Sequence, residues 1–432
     1  MEAVYPFGEP RLIKECMQGV SNMLKKIVPV FLSVIFLFSS FVALPAYAAV
    51  YTDVTEYDAV TVMKIMNNTQ VTDLKAKGAI LTDCNSGKVL LEQNSDEKLP
   101  IASVTKVMSM LLIMEAIDMG KLAFDTKVKV SEHSYSMGGS QVWLEPGEEF
   151  TVDELLKAVA IHSANDATVA LGEAVAGSEE AFVGMMNDKA RELGMTNTNF
   201  LDCTGLTDKG HYSTARDIAV MSRELLLKYP QITEYTSTWQ AKFRDNVPGK
   251  DPVSLDNTNK LVRFYDGTVG LKTGFTGAAG HCLSASAIRN GQQLISVVLG
   301  EPDSNTRFAE SRKLLDYGFA NFETVKVNSS GEEVQQVQVK KGLKPAVSAI
   351  YKDDVKLLLK KGEKGKIERV VKIKTGLTAP VKAGEKIGEV TYVVSGNDVG
   401  NADIVAATGI EKASYIKIFI NMVTEWFKMG RK

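Results

Sequence analysis

The chain is 432 residues long, 45% hydrophobic and 24% charged, with a formal net charge of −2. This composition suits a folded chain with a large core and excludes global disorder. Near-neutral charge gives no footing for general nucleic-acid binding, and none is expected.

A targeting segment precedes the predicted elements. Met23 to Ala48 reads as two lysines, an apolar run and Ala46-Tyr47-Ala48, the form of a secretory signal cleaved after Ala48 or Ala49. The alternative is an uncleaved membrane anchor. Residues 1–48 are therefore expected to be a signal peptide with an N-terminal extension, Met23 being the better start, and 49–70 a leader segment. Cleavage removes Cys16 and leaves Cys84, Cys203 and Cys282, too few for a disulfide scaffold. His133, His162, His211 and His281 are scattered and no H-E-x-x-H occurs, so no metal or other cofactor is expected.

Residues 78–94 predict two strands around an Asn-Ser-Gly-Lys turn. An apolar helix follows from Ser103, with Gly120 as its stop. DELLKAVAIH, DATVALGEAVAG and EEAFVGMMNDKARELG predict further helices, and Ser213-Thr214-Ala215-Arg216-Asp217 offers the cap of another. GTVGLKTG, GHCLSASAIR and QLISVVLG predict an antiparallel sheet with a tight turn at Asn290-Gly291. ESRKLLDYGFANF closes this part as a helix. Strands at both ends with helices between them indicate one α+β domain over 71–324.

Composition changes near Val325. From Lys340 to Lys386 there are fourteen Lys/Arg against five Asp/Glu, among short β-prone runs such as RVVKIKT and GEVTYVV. Residues 325–405 are expected to form a small all-β domain. Its basic face is either a solvated surface or one drawn to an anionic wall or membrane. In the tail, 406–432, Ile416, Phe419, Ile420, Val423 and Phe427 fall on one face of a helix. Charges interrupt it too often for a membrane span. Either the stripe packs on the β domain, or the helix lies in the outer face of the cytoplasmic membrane with Trp426 among the headgroups. The second is expected.

Ser-x-x-Lys occurs at Ser95–Lys98, Ser103–Lys106 and Ser414–Lys417, so the pattern alone is weak. Ser95 lies in a polar loop and Ser414 near a basic tail. Only Ser103 opens an apolar helix, where residues i and i+3 share a face. Burial there would lower the Lys106 pKa toward that of a usable base, and N–H groups at the helix start can face an oxyanion. Ser163-Ala164-Asn165 supplies a hydroxyl for proton relay and an amide for a substrate carbonyl, although Ser395-Gly396-Asn397 has the same form. Lys272-Thr273-Gly274 ends a predicted strand, where cation and hydroxyl can hold a carboxylate; Lys374-Thr375-Gly376 is its double. Order separates the sets. Ser103, Ser163 and Lys272 run SxxK, SxN, KTG inside one domain, and the doubles run in reverse across a β domain and a tail.

That ordered set is known from β-lactamases and penicillin-binding proteins. More closely, PIASVTK, HSANDA, GMTNTNF, TGL, HYSTARD and VGLKTGFTGAAGHCLSASA resemble the low-molecular-mass D-alanyl-D-alanine carboxypeptidases of bacterial cell walls, over the chain from about residue 70 to its end. The resemblance implies a DD-peptidase/β-lactamase-like fold and a peptidoglycan stem peptide as substrate, with β-lactam antibiotics as covalent inhibitors. It implies Ser103 as nucleophile, Lys106 as base and Ser163 with Lys272 as the proton path to the leaving amine. Asn165 would bind the peptide amide and Thr273 the terminal carboxylate, with Gly274 letting substrate lie along the strand. The N–H groups of Ser103 and Phe275 would form the oxyanion hole, and Arg307 matches an arginine that helps read carboxylate. Some relatives carry histidine where Phe275 stands, which a backbone role survives. The alternatives are a class A β-lactamase, for which no Glu-x-x-Leu-Asn loop occurs between Asn165 and Lys272, and a non-catalytic wall-binding protein.

Overall fold

In the computed structural model the described residues are 73–207, 209–245, 251–417, 419, 420 and 423. The signal and leader expectations, and Phe427 and Trp426 of the tail, lie outside the described residues.

Gly78–Asp83 (β1) is apolar up to Thr82 and buried along its whole length, as a strand covered on both faces must be. It pairs antiparallel with Val89–Gln93 (β2) across the predicted turn. Thr268–Thr276 (β3), Gly280–Arg289 (β4) and Gln292–Glu301 (β5) form the predicted antiparallel run. Together they make one five-stranded antiparallel sheet in the order β2-β1-β5-β4-β3. Alternate side chains take opposite faces. Leu81, Leu283, Leu294 and Val298 pack with Leu314 and Leu315 of the closing helix, while Ile80, Ile295 and Val297 join the core of the helices inserted between β2 and β3.

Those helices are Lys106–Asp118 (α1), Val152–Lys157 (α2), Asn165–Ala176 (α3), Glu179–Glu192 (α4) and Ala215–Lys228 (α5). Apolar all round, α1 is buried on nearly every side. The predicted cap of α5 forms, with Thr214 Oγ1 accepting from the Asp217 N–H at 3.0 Å. The closing helix, Ser304–Asn321 (α6), begins at Ser304 instead of Glu310. Asp303 caps it through the Asn305 and Thr306 N–H groups, a start signal that the apolar pattern alone hides. Cys84, Cys203 and Cys282 are free and buried.

The second domain starts at Phe322, straight after α6. Its strands are Phe322–Asn328 (β6), Glu333–Lys340 (β7), Ala346–Tyr351 (β8), Val355–Lys360 (β9), Ile367–Ile373 (β10), Leu377–Thr378 (β11), Lys386–Val394 (β12) and Asn397–Ala406 (β13). A six-stranded sheet runs β10-β12-β13-β8-β7-β11, and β6 pairs with β9. On β12 the alternation is plain: Val390, Tyr392 and Val394 are buried in a separate core with Tyr351 and Leu357. Hydrogen bonding continues past β13. Ile410 pairs with Val381, and the Ala413 N–H donates to Lys341 O at 2.8 Å. The tail therefore departs at Ser414 and not at 406, because loop backbone rather than β-prone sequence closes the domain.

Ile416, Phe419 and Ile420 are largely exposed and Val423 is 37% exposed. Among the described residues no helix is long and apolar enough to cross a membrane.

Candidate active site

Ser103 stands on a short 3₁₀ turn, Ala102–Thr105, that leads into α1. The α-helix thus opens at Lys106 and not at Ser103. Thr105 tightens the turn by donating its hydroxyl to Ala102 O at 2.8 Å, and its Oγ1 also meets His211 Nε2 at 2.7 Å. Ser103 is half-buried at the surface of the turn while Lys106 is wholly buried. The Lys106 Nζ donates to Ser103 Oγ at 3.0 Å, Asn165 Oδ1 at 2.6 Å and Thr204 O at 2.9 Å. Burial brings its pKa down to about 8, with Cys203, Asp202 and Asp166 pulling the other way. Three acceptors saturate an ammonium. In the neutral amine two N–H groups can stay on Asn165 and Thr204, which turns the lone pair toward the Ser103 hydroxyl.

The second wall begins at α2, where Thr151 and Glu154 form a capping box. The helix then widens into a π turn over Ala158–His162 and stops at Ser163, whose φ of 66° is left-handed. Asn165 opens α3 next to it, and both Ser163 and Asn165 are buried. Asn165 Nδ2 donates to Gly138 O at 2.6 Å. Since its oxygen already accepts from Lys106, one amide hydrogen is left for a substrate carbonyl.

The third wall is β3. Lys272 is buried and its Nζ donates to Thr273 O at 3.0 Å. Burial first, and then the positive charges of Lys106 and Arg307, hold its pKa well below the ordinary lysine range. Thr273 Oγ1 donates to Thr258 Oγ1 at 2.7 Å. Gly274 lies hard against the Ser103 turn: a Cβ there would come within 2.7 Å of Ile101 O and 3.0 Å of the Ser103 and Val104 nitrogens. Its lack of a side chain lets the strand reach Ser103. Phe275 is 60% exposed and stacks on His281 with ring centroids 4.4 Å apart. Arg307 is buried on α6, donating to Gly274 O at 3.2 Å and Cys282 O at 3.3 Å, with its pKa lowered by burial to about 10. It backs the strand that carries Lys272.

The doubles fall elsewhere. Lys374, Thr375 and Gly376 sit exposed between β10 and β11, with Lys374 Nζ donating to Lys386 O at 3.0 Å. Ser395 and Gly396 make the β12–β13 hairpin turn with φ of 51° and 81°. Ser414 Oγ accepts from the Lys417 N–H at 3.4 Å. Lys98 is exposed as expected, but Ser95 is buried, donating to Glu92 and accepting from Arg216.

Several supporting residues escape the three-motif reading. Thr204 supplies a carbonyl to Lys106 from 98 positions away. Asp202 holds its loop by accepting N–H groups from Thr204, Gly205 and Thr207 at 2.5–2.8 Å. Burial opposes ionisation of Asp202, but the hydrogen bond from the Thr207 side chain, the nearby His211 and the backbone N–H groups of Thr207 and Gly205 outweigh it and keep the carboxyl well below its usual range. A Cβ on Gly205, at φ +84°, would stand 1.9 Å from Ala102 O, so this loop seats directly on the Ser103 turn. The sequence signal was the TGL and HYSTARD strings, legible only as resemblance.

The family of D-alanyl-D-alanine carboxypeptidases matches residues 65–303. The chain belongs to that family. The penicillin-binding protein 5 C-terminal domain matches 322–412, the β domain described above. The chain is 43% identical over 355 residues to the D-alanyl-D-alanine carboxypeptidase DacF of Bacillus subtilis, covering 82% of this chain and 90% of that one. Penicillin-binding protein 5 of Haemophilus influenzae aligns with a TM-score of 0.71 at 32% identity, over 79% of this chain and 99% of its own. Penicillin-binding protein D2 of Listeria monocytogenes in its ampicillin-bound form aligns at 0.51 and 32% identity, over 57% and 98%.

Proposed function

We propose that this carboxypeptidase-family protein removes the terminal D-alanine from peptidoglycan stem pentapeptides through an acyl-enzyme on Ser103. The observation that carries the reading is the wholly buried Lys106, with its pKa brought down to about 8 and its Nζ 3.0 Å from Ser103 Oγ. Ser103 attacks the carbonyl between the last two D-alanines and gives its proton to neutral Lys106. The Ser103 and Phe275 N–H groups stabilise the oxyanion, an arrangement favoured by the close seating of Gly274 on the Ser103 turn. Asn165 offers its remaining amide hydrogen to the peptide. Thr273 receives the terminal carboxylate, with Lys272 and Arg307 supplying positive potential. Burial and the neighbouring cations lower the Lys272 pKa, and a bound carboxylate would raise it again and favour the charged form. Ser163 with Lys272 then delivers a proton to the leaving amine, and water releases the acyl group. Penicillins present an acylating carbonyl and a carboxylate to the same groups, so covalent labelling follows.

The protein is exported under the Met23–Ala48 signal and held peripherally on the outer face of the cytoplasmic membrane by the helix beginning near Ser414. The exposed Ile416, Phe419 and Ile420 support that attachment. The deciding experiment is D-alanine release from a stem pentapeptide by the purified protein. Release that is lost in S103A supports the reading. Penicillin labelling without any release of D-alanine would sink it.

A further inference from the structure

Trp143 combines two features that rarely occur together. Its indole is 62% exposed, and its backbone is left-handed at φ +52°, a conformation bulky side chains avoid. Val142 and Leu144 on either side are buried. The strained segment is clamped by two buried side chains of opposite charge. Asp166 accepts the Val142 N–H at 3.0 Å and the Leu144 N–H at 3.1 Å. Arg244, itself paired with Glu148, donates to Val142 O at 3.0 Å and to Trp143 O at 2.6 Å. Buried ions and positive φ are both costly, and their joint effect is to hold an apolar ring out in water. A lone exposed apolar residue needs no explanation, whereas one fixed this way does.

The segment that carries it borders the proposed active site. Asp166 follows Asn165 directly. Along the same stretch Asn165 N donates to Ser140 O at 2.7 Å, Asn165 Nδ2 to Gly138 O, and Ser140 Oγ to His162 O at 2.7 Å. Segment 138–144 is thus stitched to the Ser163–Asn165 wall, across Lys106 and Ser103 from β3. Leu206, 43% exposed, abuts the segment, since a Cβ on Gly139 would meet it at 3.4 Å. With the terminal carboxylate at Lys272 and Thr273, this opposite wall, where Trp143 and Leu206 are the exposed apolar side chains, is open to the remainder of the peptide.

We propose that Trp143 is a specificity residue for the acyl side of the substrate, its indole receiving the long aliphatic side chain of the residue that precedes D-alanyl-D-alanine. This rests on the carboxypeptidase reading above. Ring and side chain bury apolar surface against each other without touching the reacting atoms, so binding changes and the chemical step does not.

The test compares N-acetyl-D-Ala-D-Ala with diacetyl-L-lysyl-D-Ala-D-Ala on wild type, W143A, W143F and W143G. W143A should raise KM for the lysyl tripeptide by about tenfold, the effect of roughly one lost apolar contact, with kcat kept and with less than about twofold change for the dipeptide. W143F should recover most of the loss. W143G should show the same selective loss while melting no lower than wild type, because glycine relieves the positive φ. Unchanged KM for both peptides would overturn the assignment. So would an equal loss on both, which would make Trp143 a purely structural residue. If wild type turns over neither peptide, the carboxypeptidase reading fails separately. Protection against a fluorescent penicillin by the two peptides still decides Trp143, selective weakening of the tripeptide in W143A supporting it and its absence overturning it.

Discussion

On the proposed mechanism Lys106 carries the pH dependence. With its neutral form as the base, penicillin acylation should fall about tenfold per pH unit below the pKa of about 8 and level off above it. A rate flat from pH 5 to 9 would show that another group takes the proton. Serine identity follows the same burial logic. S103A should abolish covalent penicillin labelling, whereas S95A, which removes a hydroxyl bonded to Glu92 and Arg216, should label normally and melt slightly lower. Adduct formation by S103A would reject the nucleophile assignment. Lys272→Ala should slow acylation by roughly two to three orders of magnitude, as loss of an oriented charge does. Lys374→Ala, exposed on its turn, should leave acylation and melting unchanged. Similar losses in both would mean that the reaction site has been placed in the wrong domain. The Ser103–Lys106 pair was legible because three positions span one helical turn. Thr204 was not, because nothing local links it to Lys106.

At the scale of elements, the proposed oxyanion hole depends on how closely a strand approaches a turn. Gly274→Ala should separate β3 from the Ser103 turn, because the new methyl would meet backbone atoms that cannot swing aside. Acylation is expected to fall about a hundredfold with the circular dichroism spectrum retained. An active G274A enzyme would show that the turn yields, and would remove the argument that Phe275 and Ser103 share an oxyanion. Helices and strands of this domain were legible from apolar runs, apolar period and caps, as in the uniformly apolar α1 and at Thr214. The π turn before Ser163 and the 3₁₀ turn around Ser103 were not, since both are set by what packs against them. Asp303 shows the reverse error: the local signal was present, but the polar first turn of α6 carried no apolar rhythm.

The whole molecule couples a catalytic domain to a β domain with its own core and then to a tail that begins past Ala413. On the proposed attachment, truncation after Ala413 should free the enzyme from washed membranes and leave D-alanine release from a soluble peptide within about twofold, since removal of an interfacial anchor takes away only membrane binding. Truncation before Ile410 should in addition lower the melting temperature, because it removes the Val381 pairing and a buried side chain. If the protein cut after Ala413 still sediments with membranes lacking peptidoglycan, the attachment lies elsewhere, most directly in an uncleaved N-terminal segment.

Sequence alone determined the domain order, most elements and the three motifs, because local period, caps and residue chemistry are written in short stretches. It also singled out Lys106 as the buried lysine among the three Ser-x-x-Lys patterns, since only that one sits in an apolar surround. Tertiary structure decided the rest. It set the lysine's three acceptors, the contact of Gly274 with the nucleophile turn, the burial of Ser95 and the clamp on Trp143. Each of these joins positions scores of residues apart or reflects packing around a short segment, so no local pattern encodes it.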